Sequence, residues 1–293
     1  MPSDANTKPR FGSLEVNGAD LAYTEAGRGE LVLFVHGSLG SLSDFNDQLD
    51  AFSEHYRVVA YSRRFHPPNA VDGLDTIYAA ERHARDLETV IRNLEERSAH
   101  IIGSSYGAYI ALILALRRPA TVRSLVLAEP PILPLLQLSP LGVRLSKEFF
   151  QTAIVPSRTG FENGDAEEGV RKFVDGIIGR PGSFDAIPDE ARGRLLEAAP
   201  ELRLEFCTDS SRYMPDLDLG KLRTLPTPTL LLQGEHSPRL FKLILNELER
   251  TLPNNERVII PRTGHSLHLG NPAHFNRIVL RFLERARSSS PQE

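Results

Sequence analysis

Short apolar runs and longer amphipathic stretches alternate along most of this chain. Residues 31–37 (LVLFVHG), 57–62 (RVVAYS), 99–105 (AHIIGSS), 123–130 (RSLVLAEP), 227–235 (TPTLLLQGE) and 256–264 (ERVIIPRTG) each read as a strand. Continuous rather than alternating apolar character is the mark of a strand buried on both faces, as in a parallel sheet covered by helices. Ahead of them, LEVNG and ADLAYTEAG predict a hairpin closed by Asn17-Gly18, a type I′ turn pair.

Helical spacing fills the intervals. Residues 43–52 open with a serine cap candidate and early acids. Residues 76–94 place Ile77, Ala80, His83, Ala84, Leu87, Val90, Ile91 and Leu94 on one stripe. Residues 106–116 are apolar on nearly every face and predict a buried helix, which Pro119 stops. Residues 237–252 and 272–287 are amphipathic, the second with proline at its start.

Strands alternating with helices predict an α/β fold: a mainly parallel sheet flanked by helices. Residues 131–225 break the alternation with helical patterns only. The expected organisation is therefore a core of residues 11–130 and 226–287, a helical lid over 131–225, and flexible tails at 1–10 and 288–293. Ligands of open α/β sheets bind at the carboxyl ends of the strands. An insertion leaving such an end roofs that site.

Composition narrows the setting. At 293 residues, a chain can bury about three quarters of its unfolded surface and needs no staple to fold. With 41% hydrophobic and 25% charged residues it reads as globular. The net charge of -4 and the short basic pairs Arg63-Arg64 and Arg117-Arg118 argue against nucleic acid as a partner. The single cysteine, Cys207, allows neither an internal disulfide nor a cysteine zinc site, and reads as a small buried hydrophobe. The polar start MPSDANTKPRFG lacks a secretory core, and no apolar run approaches a bilayer span. A cytoplasmic protein without cofactor, metal or membrane partner is expected. The natural partner is then a small-molecule substrate, and nothing commits the chain to one oligomeric state.

The strongest chemical signal is Gly103-Ser104-Ser105-Tyr106-Gly107, a G-x-S-x-G run between a strand and a buried helix. That context is the one a nucleophile elbow requires. Glycines flank the serine because the turn is too tight for side chains. The turn exposes the Ser105 hydroxyl, and the helix N-terminus adds positive potential beside it.

The sequence resembles the α/β-hydrolase superfamily over nearly its whole length, most weakly in residues 131–225. Three motifs carry the resemblance in order: His36-Gly37-Ser38-Leu39-Gly40, then Gly103 to Gly107, then Gly264-His265. It implies an oxyanion hole formed by the backbone N–H groups of Ser38 and Tyr106. It implies His265 as the base, ahead of its neighbour His268, and a structural role for His36. His66, after the second central strand, reads as an exposed loop histidine, with a pocket-lining role as the alternative.

The acid departs from the family pattern. The loop Gln233-Gly234-Glu235-His236-Ser237-Pro238 holds Ser237 where most members place aspartate. Two carboxylates can replace it. Glu235 lies in the same loop. Glu129 ends the strand before the lid, 24 residues after Ser105, a spacing similar to haloalkane dehalogenases and zearalenone-type lactonases. The set Ser105, Glu129 and His265 is favoured. The run Arg63 to Pro68 also departs from the family, with no function to assign.

Phe149, Phe150, Phe161, Phe173, Phe184, Phe206 and Tyr213 give the lid an apolar character that suits a small apolar substrate. A serine nucleophile argues against epoxide hydrolase and dehalogenase chemistry. The expected activity is hydrolysis of an ester or lactone through an acyl-enzyme. The competing readings are a C–C bond hydrolase, a perhydrolase or a cofactor-free oxygenase on the same scaffold, and a ligand-binding protein that has lost turnover.

Overall fold

A computed structural model describes residues 9–70 and 77–288. One sheet holds eight strands: β1 (Arg10–Val16), β2 (Ala19–Gly27), β3 (Leu31–Val35), β4 (Arg57–Tyr61), β5 (Ala99–Ser104), β6 (Val122–Ala128), β7 (Thr229–Gly234) and β8 (Asn255–Ile260). Their order is β1-β2-β4-β3-β5-β6-β7-β8. β1 pairs antiparallel with β2, and β2 with β4; the remaining pairs are parallel. Asn17 and Gly18 both take positive φ, as the type I′ turn requires.

Burial explains which strands read clearly. Every residue of β3, β5 and β7 is buried. β8 is the exception: it forms the sheet edge, and Ile259 is 54% exposed. Its apolar run therefore marks an edge strand rather than one covered on both faces.

Alternate residues of each strand feed two cores. Leu31, Leu33 and Val35 face the core shared with the insertion; Val32 and Phe34 face the opposite one. Phe34 sits 4.7 Å from the Phe45 ring and 5.2 Å from Phe52. Truncating such a side chain to alanine costs about 3–5 kcal/mol.

Helices cover both faces. α1 (Asn46–Ser53) follows a 3₁₀ turn, Leu42–Phe45, capped by Ser41 rather than Ser43. α2 (Ala80–Asn93) starts later than its apolar stripe suggests, because Ala79 is extended; residue 76 lies outside the described residues. α3 (Tyr106–Arg117) is buried from Tyr106 to Ala115.

Between β6 and β7 the chain is helical: α4 (Leu133–Leu136), α5 (Pro140–Phe149), a π-helical turn (Phe150–Ile154), α6 (Val155–Glu162), α7 (Ala166–Ile178), α8 (Asp189–Glu197), α9 (Ala199–Cys207), α10 (Ser210–Tyr213) and α11 (Leu219–Arg223). α12 (Arg239–Thr251), α13 (Leu267–Gly270) and α14 (Pro272–Ser288) complete the fold. Two tyrosines of α3 fasten the insertion to the core. The Tyr106 hydroxyl donates to the Tyr213 carbonyl at 2.7 Å, and the Tyr109 hydroxyl to that of Pro215. Cys207, expected inside, is exposed at the end of α9.

Candidate active site

The sheet ends create the site. β5 stops at Ser104, and Ser105 turns the chain into α3 with φ 50° and ψ -121°. A non-glycine residue holds this conformation only where its surroundings fix it. The Ser105 N–H donates to the Ala128 carbonyl at 2.8 Å, tying the elbow to β6. The flanking glycines have steric causes. A Cβ on Gly107 would lie 2.2 Å from the Val35 carbonyl oxygen, and one on Gly103 2.4 Å from the Ala108 Cα.

Three side chains from three strand ends meet here. His265, in the turn after β8, places Nε2 2.9 Å from Ser105 Oγ and Nδ1 2.8 Å from Glu129 Oε2. The carboxylate fixes the tautomer: Nδ1 carries the proton, and Nε2 presents a lone pair to the serine. The Phe241 ring stacks on the imidazole at 4.2 Å. Glu129 follows β6 with φ 49° and is fully buried. Its Oε1 accepts from the Gly234 N–H at 2.8 Å.

The alternative acid points elsewhere. Glu235 Oε2 accepts from the Arg262 N–H at 2.8 Å, and the side chain is about half exposed. Ser237 is buried, with no partner for its hydroxyl among the described residues. A Cβ on Gly234 would lie 2.5 Å from Ser237 Oγ and 2.2 Å from the Gly264 carbonyl oxygen, so the β7 loop and the turn after β8 converge on one spot. The Glu129 carboxylate fills the space beside the loop from the strand before the insertion.

The N–H groups of Ser38 and Tyr106 have no acceptor among the described residues. Gly37 lets the loop after β3 approach Ser105: a Cβ there would touch that of Ser105 at 3.0 Å. His36 braces this loop. Its Nδ1 donates to the Gly37 carbonyl at 2.8 Å, and Nε2 accepts the Arg63 N–H at 2.8 Å. Burial holds the imidazole pKa well below its usual value, so it stays neutral. The Arg63 guanidinium, fully buried, donates to the carbonyls of His36 and Gly37 at 3.0 and 3.1 Å. Arg64 grips Asp86 with two bonds of 2.8 and 2.9 Å. The Arg63–Pro68 run thus acts as an internal scaffold for the loop after β3. His66, expected on the surface, is completely buried within it.

A cavity of about 580 Å³ opens above Ser105 and His265. The insertion lines it with Phe173, Val174, Ile177, Ile178, Ile187 and Leu195. Of the aromatics expected in the roof, only Phe173 lines the cavity. Phe149, Phe161, Phe184, Phe206 and Tyr213 pack into the core instead. The floor and rim carry Asp44, His236, Arg262 and His268. Burial raises the Asp44 carboxyl to about 7. His268, buried and stacked on Phe45 at 4.8 Å, is held neutral by burial, its pKa lowered to about 4. A second recess, about 700 Å³, lies between the end of α1 and α14 among Arg277, Arg281 and Glu284, and shares no lining residue with this cavity.

Several site residues have no motif. Glu201 and Glu205 of α9 are both fully buried beside the loop after β3, with Tyr78 between them and Arg63. Their one sequence signal is a pair of acids spaced i, i+4 on the same stripe as Leu202 and Phe206.

Comparisons with known proteins agree with this architecture. The model of the alpha/beta hydrolase family matches residues 32–277. An uncharacterized hydrolase, YraK, of Bacillus subtilis is 34% identical over 125 residues, 43% of this chain and 46% of that protein; the match spans about half of that relative's length. The 2-(acetamidomethylene)succinate hydrolase of Mesorhizobium japonicum is 25% identical over 92% of this chain and 94% of its own. The carboxylesterase CesB of Bacillus subtilis superposes with a TM-score of 0.72 at 19% identity, covering 94% and 92% of the two chains, a likeness of fold. Among the described residues no helix is long and apolar enough to cross a membrane. Strand order, elbow and family match lead to one conclusion: the chain belongs to the alpha/beta hydrolase family and is a hydrolase.

Proposed function

We propose that the protein is a serine hydrolase that cleaves carboxylic esters or lactones of small, apolar acyl compounds. The unbroken chain Ser105 Oγ, His265 imidazole, Glu129 carboxylate, opening on an apolar cavity, carries this reading. Ser105 Oγ attacks the carbonyl carbon as His265 Nε2 takes its proton. Glu129 holds the Nδ1 proton in place and stabilises the imidazolium without accepting it. The Ser38 and Tyr106 N–H groups receive the oxyanion. Losing one such donor typically costs about 3–4 kcal/mol. His265 then returns the proton to the leaving alkoxide, and water, activated the same way, releases the acid.

The cavity sets the acyl preference. Its aliphatic wall from α7 and α8 favours apolar acyl chains. A dianionic succinate is poorly served: Asp44 adds negative charge above pH 7, and Arg262 stands exposed at the rim.

The test is hydrolysis of p-nitrophenyl acetate, butyrate, octanoate and hemisuccinate and of simple γ- and δ-lactones. Acid quenching and intact-mass detection identify the acyl-enzyme. Turnover of neutral chains with an acyl adduct on Ser105, absent in Ser105→Ala, is expected. Hydrolysis undiminished in Ser105→Ala contradicts the reading.

A further inference from the structure

The reaction as proposed leaves one buried cluster unused. Glu201 and Glu205 project from α9 into the space under the oxyanion loop, both with no solvent exposure. Ser38, Arg63, His66 and Tyr78 from the core and Tyr106 and Tyr213 from α3 and α10 surround them. The Ser38 hydroxyl donates to Glu205 Oε1 at 2.7 Å. Tyr78 OH lies 2.8 Å from Glu201 Oε1 and 3.1 Å from Glu205 Oε2, and accepts from Arg63 Nη1 at 3.2 Å.

Hydrogen counting shows where protons must sit. A phenol has one hydrogen. If Tyr78 gives it to Glu201, the contact with Glu205 Oε2 needs a proton on Glu205. His66 asks for a proton on the other acid, Glu201, which one proton shared between the two hydrogen-bonded carboxyls supplies. Its Nδ1 donates to the Gly40 carbonyl at 2.9 Å, so the neutral ring turns a bare Nε2 toward Glu201 Oε1, 2.8 Å away. Charge agrees: one arginine faces two carboxyls, and a second, unpaired buried charge is costly. Burial and the neighbouring carboxylate push Glu205 well above the ordinary carboxylate range, and burial raises Glu201.

We propose that Glu201 and Glu205 are positioning residues for acyl transfer: the pair keeps one shared proton and, through the Ser38 hydroxyl, fastens the oxyanion loop to α9 of the insertion. This rests on the reading of Ser38 N–H as an oxyanion donor. The insertion then does two jobs. α7 and α8 shape the acyl pocket, and α9 fixes the backbone that stabilises charge in the transition state. Loss of the shared proton at alkaline pH adds a negative charge beside that donor and lowers turnover.

The experiment compares wild type, Glu205→Gln, Glu205→Asp, Ser38→Ala and the double variant Ser38→Ala/Glu205→Asp. Rates of p-nitrophenyl butyrate hydrolysis are followed across pH, with fluorophosphonate labelling of Ser105. Glutamine mimics the protonated acid, so Glu205→Gln keeps neutral-pH turnover and loses the alkaline fall. Aspartate cannot reach Ser38, so kcat drops about 10- to 100-fold with KM within about twofold, as a small misplacement of catalytic groups does. Ser38→Ala keeps the backbone N–H but loses the tether, and the double variant is no worse than either single one.

A wild-type kcat in Glu205→Asp, an alkaline fall retained in Glu205→Gln, or additive losses in the double variant overturns the proposal. Wild type that never labels at Ser105 removes the underlying reading instead, and the positioning role with it. Should Glu205→Asp fail to fold, infrared difference spectra of wild type against Glu205→Gln at pH 8 decide. A protonated carboxyl C=O band must vanish with the substitution, and its absence from wild type overturns the proposal.

Discussion

Two sets of fully buried carboxyls flank the site, Glu129 linked through His265 to Ser105 and Glu205 linked to Ser38 in the loop after β3, and they are built differently. Glu129 is alone, ends a strand, and meets two donors: the Gly234 N–H and His265. Glu201 and Glu205 stand together on a helix and face each other, Arg63, His66, the Ser38 hydroxyl and the phenols of Tyr78 and Tyr213. A single carboxyl with two dedicated donors has a fixed partner for each oxygen. Two carboxyls around one cation hold a proton, which suits a tether and would disable a triad acid. Position follows the same division. Strand register fixes Glu129 to within the precision of the sheet, whereas α9 reaches the loop only because the insertion folds back over the core.

The largest expected effect breaks the Glu129 side of this contrast. Ser105→Ala abolishes labelling and lowers kcat by about 10⁴-fold or more. Glu129→Gln keeps the shape but supplies the wrong charge and tautomer, and kcat falls about 10³- to 10⁴-fold. Glu235→Gln changes kcat by less than about twofold, because that side chain serves the Arg262 N–H at the surface.

A stability measurement sharpens the other side. The folded-state pKa of Glu205 lies above its unfolded value, so its contribution is fully present below the ordinary carboxylate range and is lost as pH rises toward the folded value. Glu205→Gln removes that loss. Thermal unfolding is expected to find the variant close to wild type at pH 4.5 and increasingly more stable than wild type from there to pH 8. Equal pH dependence in both proteins counts against a retained proton.

The smallest effect concerns Asp44, a lone carboxyl in the cavity wall. Above about 7 it is charged, and that charge opposes an apolar acyl chain. Asp44→Asn lowers KM for p-nitrophenyl butyrate by about two- to threefold at pH 8.5 and leaves it unchanged at pH 5.5.

The contrast also explains what was legible in the sequence. Strands β3 to β7, the hairpin turn and the elbow show themselves because local pattern and burial agree there. Ser105, His265 and Glu129 could be named because each stands at the end of a strand with an apolar signature. The structure brings these three together and leaves Glu235 and His268 outside. β8 misled because an edge strand can keep apolar residues on its open face. His66 and Cys207 misled in opposite senses: a polar residue buried by a tertiary network, and an apolar-type residue left at a helix end. Glu201, Glu205 and Arg63 were not assigned, because their partners lie far away in sequence. Tyr78 and Glu201 are 123 residues apart, and Ser38 and Glu205 are 167. The roof was misjudged for a similar reason. Aromatic content marks apolar packing without saying which side chains turn toward the cavity.

The most direct test of the central claim is timed fluorophosphonate labelling of wild type, Glu129→Gln and Glu235→Gln, read by intact mass. The account predicts fast labelling on Ser105 in wild type and Glu235→Gln, and a collapse of the rate in Glu129→Gln alone. Undiminished labelling in Glu129→Gln, or a collapse confined to Glu235→Gln, would contradict it.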